Sequence, residues 1–483
     1  MRKACALAVL LVTAACGTLA ASHASPAADA EDSGPAADAT PAPRYSHDGR
    51  FLRDRLGRVL LLRGINVATG DLEHWKADDP DVEAKTFANI AHSGFDAVRL
   101  VLNWERIEPT ENVFDPAYVA LIAHHARLAA AQGLYVILDL HQDMYGAGFG
   151  SHGAPAWSCD AANYAAYQPI QPYFNNYFSA PVKACFEHLW KTPELQLHLA
   201  QAARELARAV TDVDEVLGFD PINEPMPGLT PTLDFDRVDL QPFYERFWSV
   251  VGPVLPDRLL FFEPAPTFGL SLQSSFQVPL AGFPGVFTPH YYNLSIELSQ
   301  AWDGDADQVQ NAADGAAGVA QNLQSPWAFG EMGGAQETPN LGAYLDELYR
   351  QLDAQMAGSF LWIYSRGTSG FGLIDAPSGK WNRHAASFLR PAPVAIGGEP
   401  KAFSWDRASG QFALTWQDAG KGATEILLPA WVQKVGYACT LDGETLVPVL
   451  NAAGTRIVLP AKAGARAFAM AVAGPYPAED RAP

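Results

Sequence analysis

Two glutamates that follow buried, strand-like segments are the residues best suited to chemistry in this sequence. Glu224 follows the apolar run "EVLGFDPI" and lies in "INEP", while Glu331 lies in "WAFGEMG". A carboxylate at the exit of a buried strand must be solvated, paired or used in a reaction. A strand-to-loop cap explains either residue singly. Two carboxylates that face each other across a pocket are, however, the minimal machinery for cleaving a glycosidic bond.

The elements that position these glutamates repeat along the chain. Apolar, strand-like segments alternate with helix-like segments, and eight of them occur: 59–68, 97–104, 135–143, 216–225, 258–265, 285–292, 327–333 and 358–365. This alternation is typical of an α/β fold with a parallel sheet covered by helices, and eight units predict a (β/α)8 TIM barrel over residues 44–390. The carboxyl ends of all barrel strands face one pocket, so the fourth and seventh strands can bring Glu224 and Glu331 together. A separation of about 5–5.5 Å would imply retention of anomeric configuration.

Three residues at other strand ends can influence the ionisation and hydrogen bonding of these carboxylates. Arg99, on the second strand, can hold a carboxylate ionised by its charge and its hydrogen bonds. His290 and Tyr292, in "PHYYN", lie two residues apart and should point to the same side of the sixth strand. Tyr292 can then donate a hydrogen bond to the nucleophile. Glu263, in "FFEPAP", is another strand-end acid, which we interpret as a structural or supporting residue.

Four further strand-end residues can bind the sugar. His141 and Asp143 end the third strand and offer acceptors for hydroxyl groups. Asn223 can donate a hydrogen bond to a 2-hydroxyl group, and Trp362 offers a flat apolar face for a pyranose ring. Each of these residues singly has a structural explanation, such as a satisfied core histidine or barrel filling. Their joint placement at the ends of several strands favours a catalytic site.

The segment between the third strand and the helix "PELQLHLAQAARELARAV" is unusually long and rich in aromatic residues. Long segments in compact domains are commonly functional or disordered. Aromatic density argues against disorder, which leaves a segment packed on itself or an apolar wall beside the active site. Cys159 and Cys185 share this segment, and we predict that they form a disulfide. Cys439 is then the odd cysteine and is expected to be a buried thiol.

The pattern changes near residue 391, after the boundary "FLRPAPVAIGGEP". Short strand-like pieces follow, which predict a small C-terminal β-sandwich over residues 391–483. This domain could bind lipid, bind glycan or brace the barrel. The segment "RYSHDGRFLRDRLGRVLLL" before the first barrel strand predicts a hairpin that closes the barrel bottom.

The motifs "VRLVLNW", "LHQD", "INEP", "PHYY", "FGEMG" and "LWIYS" together resemble glycoside hydrolase family 5, a family of retaining (β/α)8 enzymes. The resemblance covers residues 45–390. It implies Glu224 as acid/base and Glu331 as nucleophile. It also implies that the following residues surround the reacting sugar: Arg99, His141, Asn223, His290, Tyr292 and Trp362.

A narrower resemblance rests on "LDLHQDMYG" followed by "GAPAW" (153–157), together with the C-terminal sandwich. These features resemble the endoglycoceramidases, which cleave the β-glycosidic bond between glycan and ceramide. This resemblance implies that Asp143 contacts the sugar, and that the substrate is a glycosphingolipid presented in a micelle or membrane. Two carboxylates suffice for the reaction, so we expect no metal and no organic cofactor, and we expect a monomer.

The sequence is also consistent with other substrates and with one other class of protein. The same chemistry suits glucosylceramide, a galactosylceramide-type lipid, a steryl glucoside or a β-glucan. A non-catalytic glycolipid-binding protein with a decayed site is a different class. The presence of both glutamates with Arg99 and Tyr292 argues against decay.

The net charge limits the kinds of partner that the protein can have, and the N-terminal segment predicts its cellular compartment. The chain has 483 residues, 48% of them hydrophobic, and a formal net charge of −20. That charge disfavours nucleic acid as a partner. Residues 1–24 read as an export signal peptide and residues 25–43 as a disordered linker. A secreted, extracellular or periplasmic protein is expected. "VTAAC" also fits a lipoprotein box, which would anchor the chain through Cys16.

Overall fold

The computed structural model describes residues 43–70, 82–171, 173–229, 234–299, 301–365, 370–375 and 378–477. The predicted signal peptide and nearly all of the predicted linker therefore lie outside the described residues. The described chain begins with a meander of three short antiparallel strands, β1 (Tyr45–His47), β2 (Leu52–Asp54) and β3 (Val59–Leu60). None of the helices among the described residues is long and apolar enough to cross a membrane.

The eight predicted barrel strands are present and parallel. They are β4 (Arg63–Ala68), β5 (Ala97–Leu102), β6 (Tyr135–Leu140), β7 (Val216–Asp220), β8 (Leu259–Phe262), β9 (Gly285–Phe287), β10 (Ala328–Met332) and β11 (Gly358–Leu361). The order in the sheet runs from β10 through β11 and β4 to β9, and parallel bridges between Phe287 and Trp327 and between Tyr291 and Met332 join its two edges. The predicted α/β barrel is thus confirmed.

Helices cover the outside of the barrel and line its loops. They are α1 (Val82–Ser93), α2 (Trp104–Ile107), α3 (Pro116–Ala131), α4 (Ala161–Ala166), α5 (Ala180–Lys191), α6 (Pro193–Ala209), α7 (Gln241–Val251), α8 (Phe268–Ser271), α9 (Leu294–Ser299), α10 (Ala306–Leu323), α11 (Leu341–Gln355), α12 (Ala385–Phe388) and α13 (Ala430–Val435). In α3, the Asp115 side chain accepts hydrogen bonds from the first-turn amides and Pro116 fits the first turn, which fixes where the helix begins. Its buried face packs on the barrel.

The C-terminal strands form a sandwich of two antiparallel sheets. They are β12 (Ala392–Ile396), β13 (Gly398–Asp406), β14 (Gln411–Asp418), β15 (Thr424–Leu427), β16 (Tyr437–Leu441), β17 (Glu444–Leu446), β18 (Val449–Leu450), β19 (Arg456–Leu459) and β20 (Gly464–Val472). One sheet has the order β13-β14-β20-β16-β17 and the other β1-β2-β3-β12-β15-β19-β18. The N-terminal meander therefore belongs to a sheet of the sandwich, because β3 pairs with β12.

The same meander also closes the barrel bottom. Tyr45, Leu52 and Leu60 pack in one buried cluster with strand residues that include Ile137 and Phe261. Apolar side chains thus fill the lower barrel, and the polar residues are left for the opposite end. Burial of this apolar surface is the main term that stabilises the closed barrel.

Candidate active site

The predicted site residues meet at the carboxyl end of the barrel. Glu331 lies within β10 and Arg99 within β5, so the sheet itself fixes both. The others follow strands that are shorter than predicted: β6 ends at Leu140, β7 at Asp220, β9 at Phe287 and β11 at Leu361. The expectation of strand positions is therefore wrong for these residues: His141, Asp143, Asn223, Glu224, His290, Tyr292 and Trp362. They lie on loops, and Pro221 and Pro289, which lack an amide hydrogen, follow β7 and β9.

Glu331 accepts two hydrogen bonds from fixed donors. Arg99 Nη1 lies 2.9 Å from its Oε1, and the Tyr292 hydroxyl lies 2.9 Å from its Oε2. Arg99 and Glu331 are both buried. Each carboxylate oxygen thus has its own donor, which suits an ionised group aimed into the pocket.

Glu224 is held differently. Its backbone lies in the left-handed region, at φ 43°, which is uncommon for a residue other than glycine and is typical of functional sites. Its amide donates to Glu263 Oε2 at 2.9 Å, and its Oε1 lies 3.1 Å from His290 Nδ1. The Glu224 side chain keeps 24% of its surface exposed, against 6% for Glu331. The more exposed carboxyl group is the one that can reach a leaving group or a water molecule.

The two carboxylates and His290 form one tight cluster. One oxygen of Glu224, one oxygen of Glu331 and a ring nitrogen of His290 all lie within 4.8 Å of one another. This spacing favours the retaining geometry, since inverting enzymes keep their carboxyl groups about 6.5–9.5 Å apart. Among the described residues, this cluster is also the group with donors close enough for a metal ion. Within it, Glu224 is hydrogen-bonded to His290, whereas Glu331 accepts from Arg99 and Tyr292.

The environment pushes the pKa values of the two glutamates apart. Burial raises the pKa of Glu331 to about 7, although the charges of His290 and Arg99 oppose it. Burial also acts to raise the pKa of Glu224, but the hydrogen bond and charge of His290 outweigh it and leave that pKa below its ordinary value. Burial lowers the pKa of His290, yet Glu263 and Glu331 raise it well above its usual range. These shifts favour the charged form of His290 and give Glu331 the higher pKa of the two glutamates.

Arg99 is the hub of a buried network beneath the cluster. Its guanidinium lies 3.0 Å from Asp139 Oδ1, 2.9 Å from Asp220 Oδ2 and 3.0 Å from Glu263 Oε1. It also donates to Asn66 Oδ1 at 3.0 Å and to Asn223 Oδ1 at 2.9 Å. Such dense pairing fixes the guanidinium against Glu331. The interpretation of Glu263 as a supporting residue fits these contacts.

Sequence reasoning missed four members of this environment: Asn66, Asp139, Gln142 and Asp220. A signal existed for Asn66, Asp139 and Asp220, since each is a polar residue inside an otherwise apolar barrel strand. Gln142 had a weaker signal, as part of "LHQD". Its Nε2 donates to the Asn223 carbonyl at 2.7 Å and to the Glu224 carbonyl at 3.0 Å, so it ties the loop after β6 to the loop after β7.

The predicted sugar-binding residues lie on the loops after β6, β7 and β11. His141 stacks on Trp362, with ring centroids 5.2 Å apart and planes inclined by 13°. His141 Nδ1 lies 2.8 Å from Asp139 Oδ2. Burial acts to lower the pKa of His141, but Asp139 raises it to about 9, so the ring is charged at neutral pH. Asp143 is partly exposed and accepts a hydrogen bond from the Tyr177 hydroxyl.

Asn223 is buried in the floor of the pocket. Its Nδ2 donates to the Gln142 carbonyl at 3.2 Å, and its Oδ1 accepts from Arg99. The amide plane is therefore fixed next to Glu224. A donor to a sugar hydroxyl group requires such a fixed amide. The hydrogen bond from Asn223 to a 2-hydroxyl group stays a prediction.

The long segment after β6 is ordered and contains the predicted disulfide between Cys159 and Cys185, with 5.4 Å between the two Cα atoms. Its aromatic residues range from buried through half-buried to exposed. Phe149, Phe186 and Trp190 are buried, while Tyr173, Phe174 and Phe178 are exposed. The buried group shows that the segment packs on itself in part, and the apolar wall beside the active site stays a prediction. Cys439 is a free, buried cysteine in the sandwich, as expected.

Comparison with protein families matches both domains. Residues 57–367 match the model described as cellulase (glycosyl hydrolase family 5), and residues 390–474 match the glycoside hydrolase family 5 C-terminal domain. The chain belongs to glycoside hydrolase family 5. It is therefore a glycoside hydrolase, and the second match assigns the sandwich to a domain that accompanies family 5 barrels.

Relatives within family 5 include proteins that act on glycolipids. The chain is 27% identical over 442 residues to endoglycoceramidase I of Rhodococcus hoagii, which covers 87% of this chain and 86% of that protein. The crystal structure of endo-glycoceramidase II from a Rhodococcus species, in complex with ganglioside GM3, superposes with a TM-score of 0.75 at 26% identity, over 88% of this chain and 99% of that one. A glucosylceramidase of Aspergillus fumigatus is 32% identical over 259 residues, but covers only 40% of this chain and 34% of its own length.

Proposed function

We propose that this family 5 enzyme is a retaining β-glycosidase that hydrolyses the bond between the glycan and the ceramide of glycosphingolipids. The observation that carries the proposal is the extent of the likeness to endoglycoceramidases, which spans both domains and nearly the whole of each chain. The cluster of Glu224, His290 and Glu331 supplies the matching chemistry.

In the first step, a Glu331 oxygen attacks the anomeric carbon and the bond to the ceramide oxygen breaks. Glu224 transfers a proton to that oxygen, so ceramide leaves as a neutral alcohol. The reacting form therefore carries the proton on Glu224 and none on Glu331. Positive charge that develops at the sugar favours the ionised form of Glu331, and the donors Arg99 and Tyr292 stabilise it at 2.9 Å each.

In the second step, water hydrolyses the glycosyl-enzyme. Ester formation removes the negative charge of Glu331, and Glu224 is now a carboxylate beside the His290 imidazolium. Glu224 accepts a proton from water while the water oxygen attacks the anomeric carbon, which releases the glycan and restores Glu331. The contact with His290 and the exposure of its carboxylate suit Glu224 to this role.

The residues beside this pair hold the sugar. The stacked rings of His141 and Trp362 provide a flat wall for the pyranose, Asp143 accepts from hydroxyl groups, and Asn223 donates to the 2-hydroxyl group. The aglycone needs apolar surface nearby, and a groove of about 330 Å³ opens beside Tyr292. Leu270, Leu272 and Leu294 line one part of it, whereas acidic and amide side chains line another.

Mass spectrometry of the products tests this function. The enzyme is incubated, with detergent, with lactosylceramide, a ganglioside, a galactosyl-series glycolipid, glucosylceramide and a soluble β-glucan. We expect intact oligosaccharide and free ceramide from lactosylceramide or the ganglioside. The Glu331→Gln variant serves as the control and should release neither product. Cleavage of the glucan without any glycolipid would refute ceramide as the aglycone and leave the barrel chemistry standing.

A second candidate is a glucosylceramidase, which the shorter match to the Aspergillus protein favours. The same assay separates the two, because this activity predicts that glucosylceramide is cleaved in preference to lactosylceramide. We rank it second, since that likeness covers less than half of either chain.

We also propose that the protein is exported. The disulfide between Cys159 and Cys185 supports an oxidising compartment. Mass analysis of the protein from its producing cells would give the mature N-terminus. Cleavage after Ala24 would indicate secretion and a lipid on Cys16 an anchor, whereas an intact Met1 would contradict both.

A further inference from the structure

The exposed aromatic segment beside the pocket has the properties of a lipid-docking surface. Ile170, Tyr173, Phe174 and Phe178 expose 39%, 51%, 47% and 55% of their surface. Exposed apolar groups that cluster within nine residues mark an interaction surface more often than chance exposure does. We refer to these four residues as the aromatic ridge.

The fold holds this ridge in place. Asn176 is buried beneath it, and its Oδ1 accepts from the Tyr167 hydroxyl and the Ile170 amide, each at 2.7 Å. Its Nδ2 donates to the Ile170 carbonyl at 2.9 Å. The disulfide closes the surrounding segment. The apolar side chains therefore point outward from a fixed turn, rather than collapsing into the core.

The ridge adjoins the catalytic pocket. Tyr177, which lies between the exposed Phe174 and Phe178, turns inward and donates its hydroxyl hydrogen to Asp143. One short helical turn (Tyr173–Phe178) thus carries both the outward aromatic residues and a contact to the predicted sugar site. A surface bound to the ridge lies directly beside the pocket.

The charge pattern identifies the kind of partner. The chain carries a net charge of −20, yet no charged residue occurs between Asp160 and Lys183. The ridge offers no positive charge to an acidic partner and no negative charge to a basic partner. Tyrosine and phenylalanine are typical of residues that sit at a membrane–water interface.

We propose that the aromatic ridge inserts into the surface of an uncharged or zwitterionic lipid layer and thereby places the pocket over membrane-embedded substrate. This inference rests on the proposed function for its purpose, but the docking itself can be measured without any substrate. Binding by apolar insertion is insensitive to salt, in contrast to electrostatic docking.

The test uses the full-length protein and the variant Phe174→Ser/Phe178→Ser. Both side chains are exposed, so the variant is expected to fold. Wild-type protein should co-sediment with phosphatidylcholine vesicles that contain no glycolipid, equally at low and high salt, and the variant should bind about ten-fold more weakly or worse. The matched control is Val447→Ser/Val449→Ser, which removes two exposed apolar residues from the sandwich and should bind as wild type does.

Activity provides the second readout. On vesicles that contain lactosylceramide, the ridge variant should lose about ten-fold in kcat/KM or more, while its hydrolysis of a soluble aryl β-lactoside should stay unchanged. Wild-type protein that ignores the vesicles, a ridge variant that binds as wild type does, or an equal loss in the sandwich control would each overturn the proposal. So would light scattering that shows a wild-type dimer and a monomeric ridge variant, because the ridge would then join two copies. If the wild type binds vesicles but cleaves no glycolipid, the proposed function fails and the docking surface stands.

Discussion

The Tyr292 hydroxyl donates a 2.9 Å hydrogen bond to Oε2 of Glu331, on the opposite carboxylate oxygen from Arg99. Arg99 lies within β5 and Tyr292 on the loop after β9, so two separate parts of the barrel supply the donors. A hydrogen bond to a carboxylate favours its ionised form and lowers its pKa. This arrangement is what a nucleophile requires in a pocket whose burial would otherwise keep it protonated.

The variant Tyr292→Phe tests that contact. A hydrogen bond to a charged group is worth about 1.5–3 kcal/mol, so we expect kcat/KM on an aryl β-lactoside to fall by about ten- to a hundred-fold. Loss of the donor also raises the pKa of Glu331, so the upper limb of the pH profile should move to higher pH. Tyr437→Phe, in the sandwich, is the control and should change neither value. An unaltered profile in Tyr292→Phe would contradict the assigned contact.

Glu331→Gln should abolish turnover, since an amide cannot form the glycosyl ester. The smaller variant Glu331→Ala leaves room for azide, which can attack the anomeric carbon directly from the vacated side. We therefore expect azide to restore activity on an activated aryl β-lactoside and to give the α-glycosyl azide, identified by NMR. Glu337→Gln changes an exposed glutamate and should behave as wild type does. Wild-type rates in Glu331→Gln would refute the assignment of the nucleophile.

Glu224→Ala should respond differently, because it removes the proton donor rather than the nucleophile. General acid catalysis contributes about 10²–10⁴-fold, so the loss should be of that order with a poor leaving group and small for the first step with a good one. Azide should now yield the β-glycosyl azide, since it attacks the glycosyl-enzyme from the face that Glu224 vacates. The measurement is kcat/KM across a series of aryl leaving groups. A loss that is the same for every leaving group would exclude Glu224 as the acid.

The sequence predicted the barrel and the meeting of Glu224 with Glu331 because strand ends in such a barrel converge whatever the loops do. It could not predict the left-handed backbone of Glu224 or the link from Gln142 to its carbonyl, since both depend on the path of loops. The contact of Tyr177 with Asp143 depends in the same way on how the disulfide-closed segment folds back. Polar residues inside strands, such as Asp220, were visible in the sequence, but their partner Arg99 was not evident from local pattern.

The pH profile should report the shared proton. Activity requires that one proton reside on the Glu224–Glu331 pair, so kcat/KM should be bell-shaped. The acidic limb reflects the lowered pKa of Glu224, and the alkaline limb should lie near pH 7, where burial places the pKa of Glu331. Raising pH through 7 removes the proton that the leaving group needs, so kcat/KM falls there. This holds whichever of the two glutamates carries the proton before substrate binds. An alkaline limb above pH 9 would speak against the coupled pair.

In Glu224→Ala, the alkaline limb should disappear for a substrate with a good leaving group, because its departure needs no proton. A single limb should remain, in which kcat/KM rises with pH as Glu331 ionises, and its midpoint should lie at or below about pH 7, because the charge of Glu224 no longer raises the pKa of Glu331. The comparison of the two profiles on one substrate therefore assigns the limbs. A retained alkaline limb in this variant would assign it to a different group.

Removing the disulfide tests the support of the sugar site. Cys159→Ala/Cys185→Ala opens a loop closed across 26 positions of sequence, for which chain entropy predicts a loss of about 3.5 kcal/mol in the free energy of unfolding. Asn176 and Tyr177 lie within that loop, so Asp143 loses its fixed partner and KM should rise more than kcat falls. Thermal unfolding and Michaelis kinetics on a soluble lactoside measure the two effects. Cys439→Ala, which removes a buried sulfur but no cross-link, controls for packing and should leave KM unchanged. A double variant with wild-type stability and KM would show that the hydrogen bonds of Asn176 hold the segment without the disulfide.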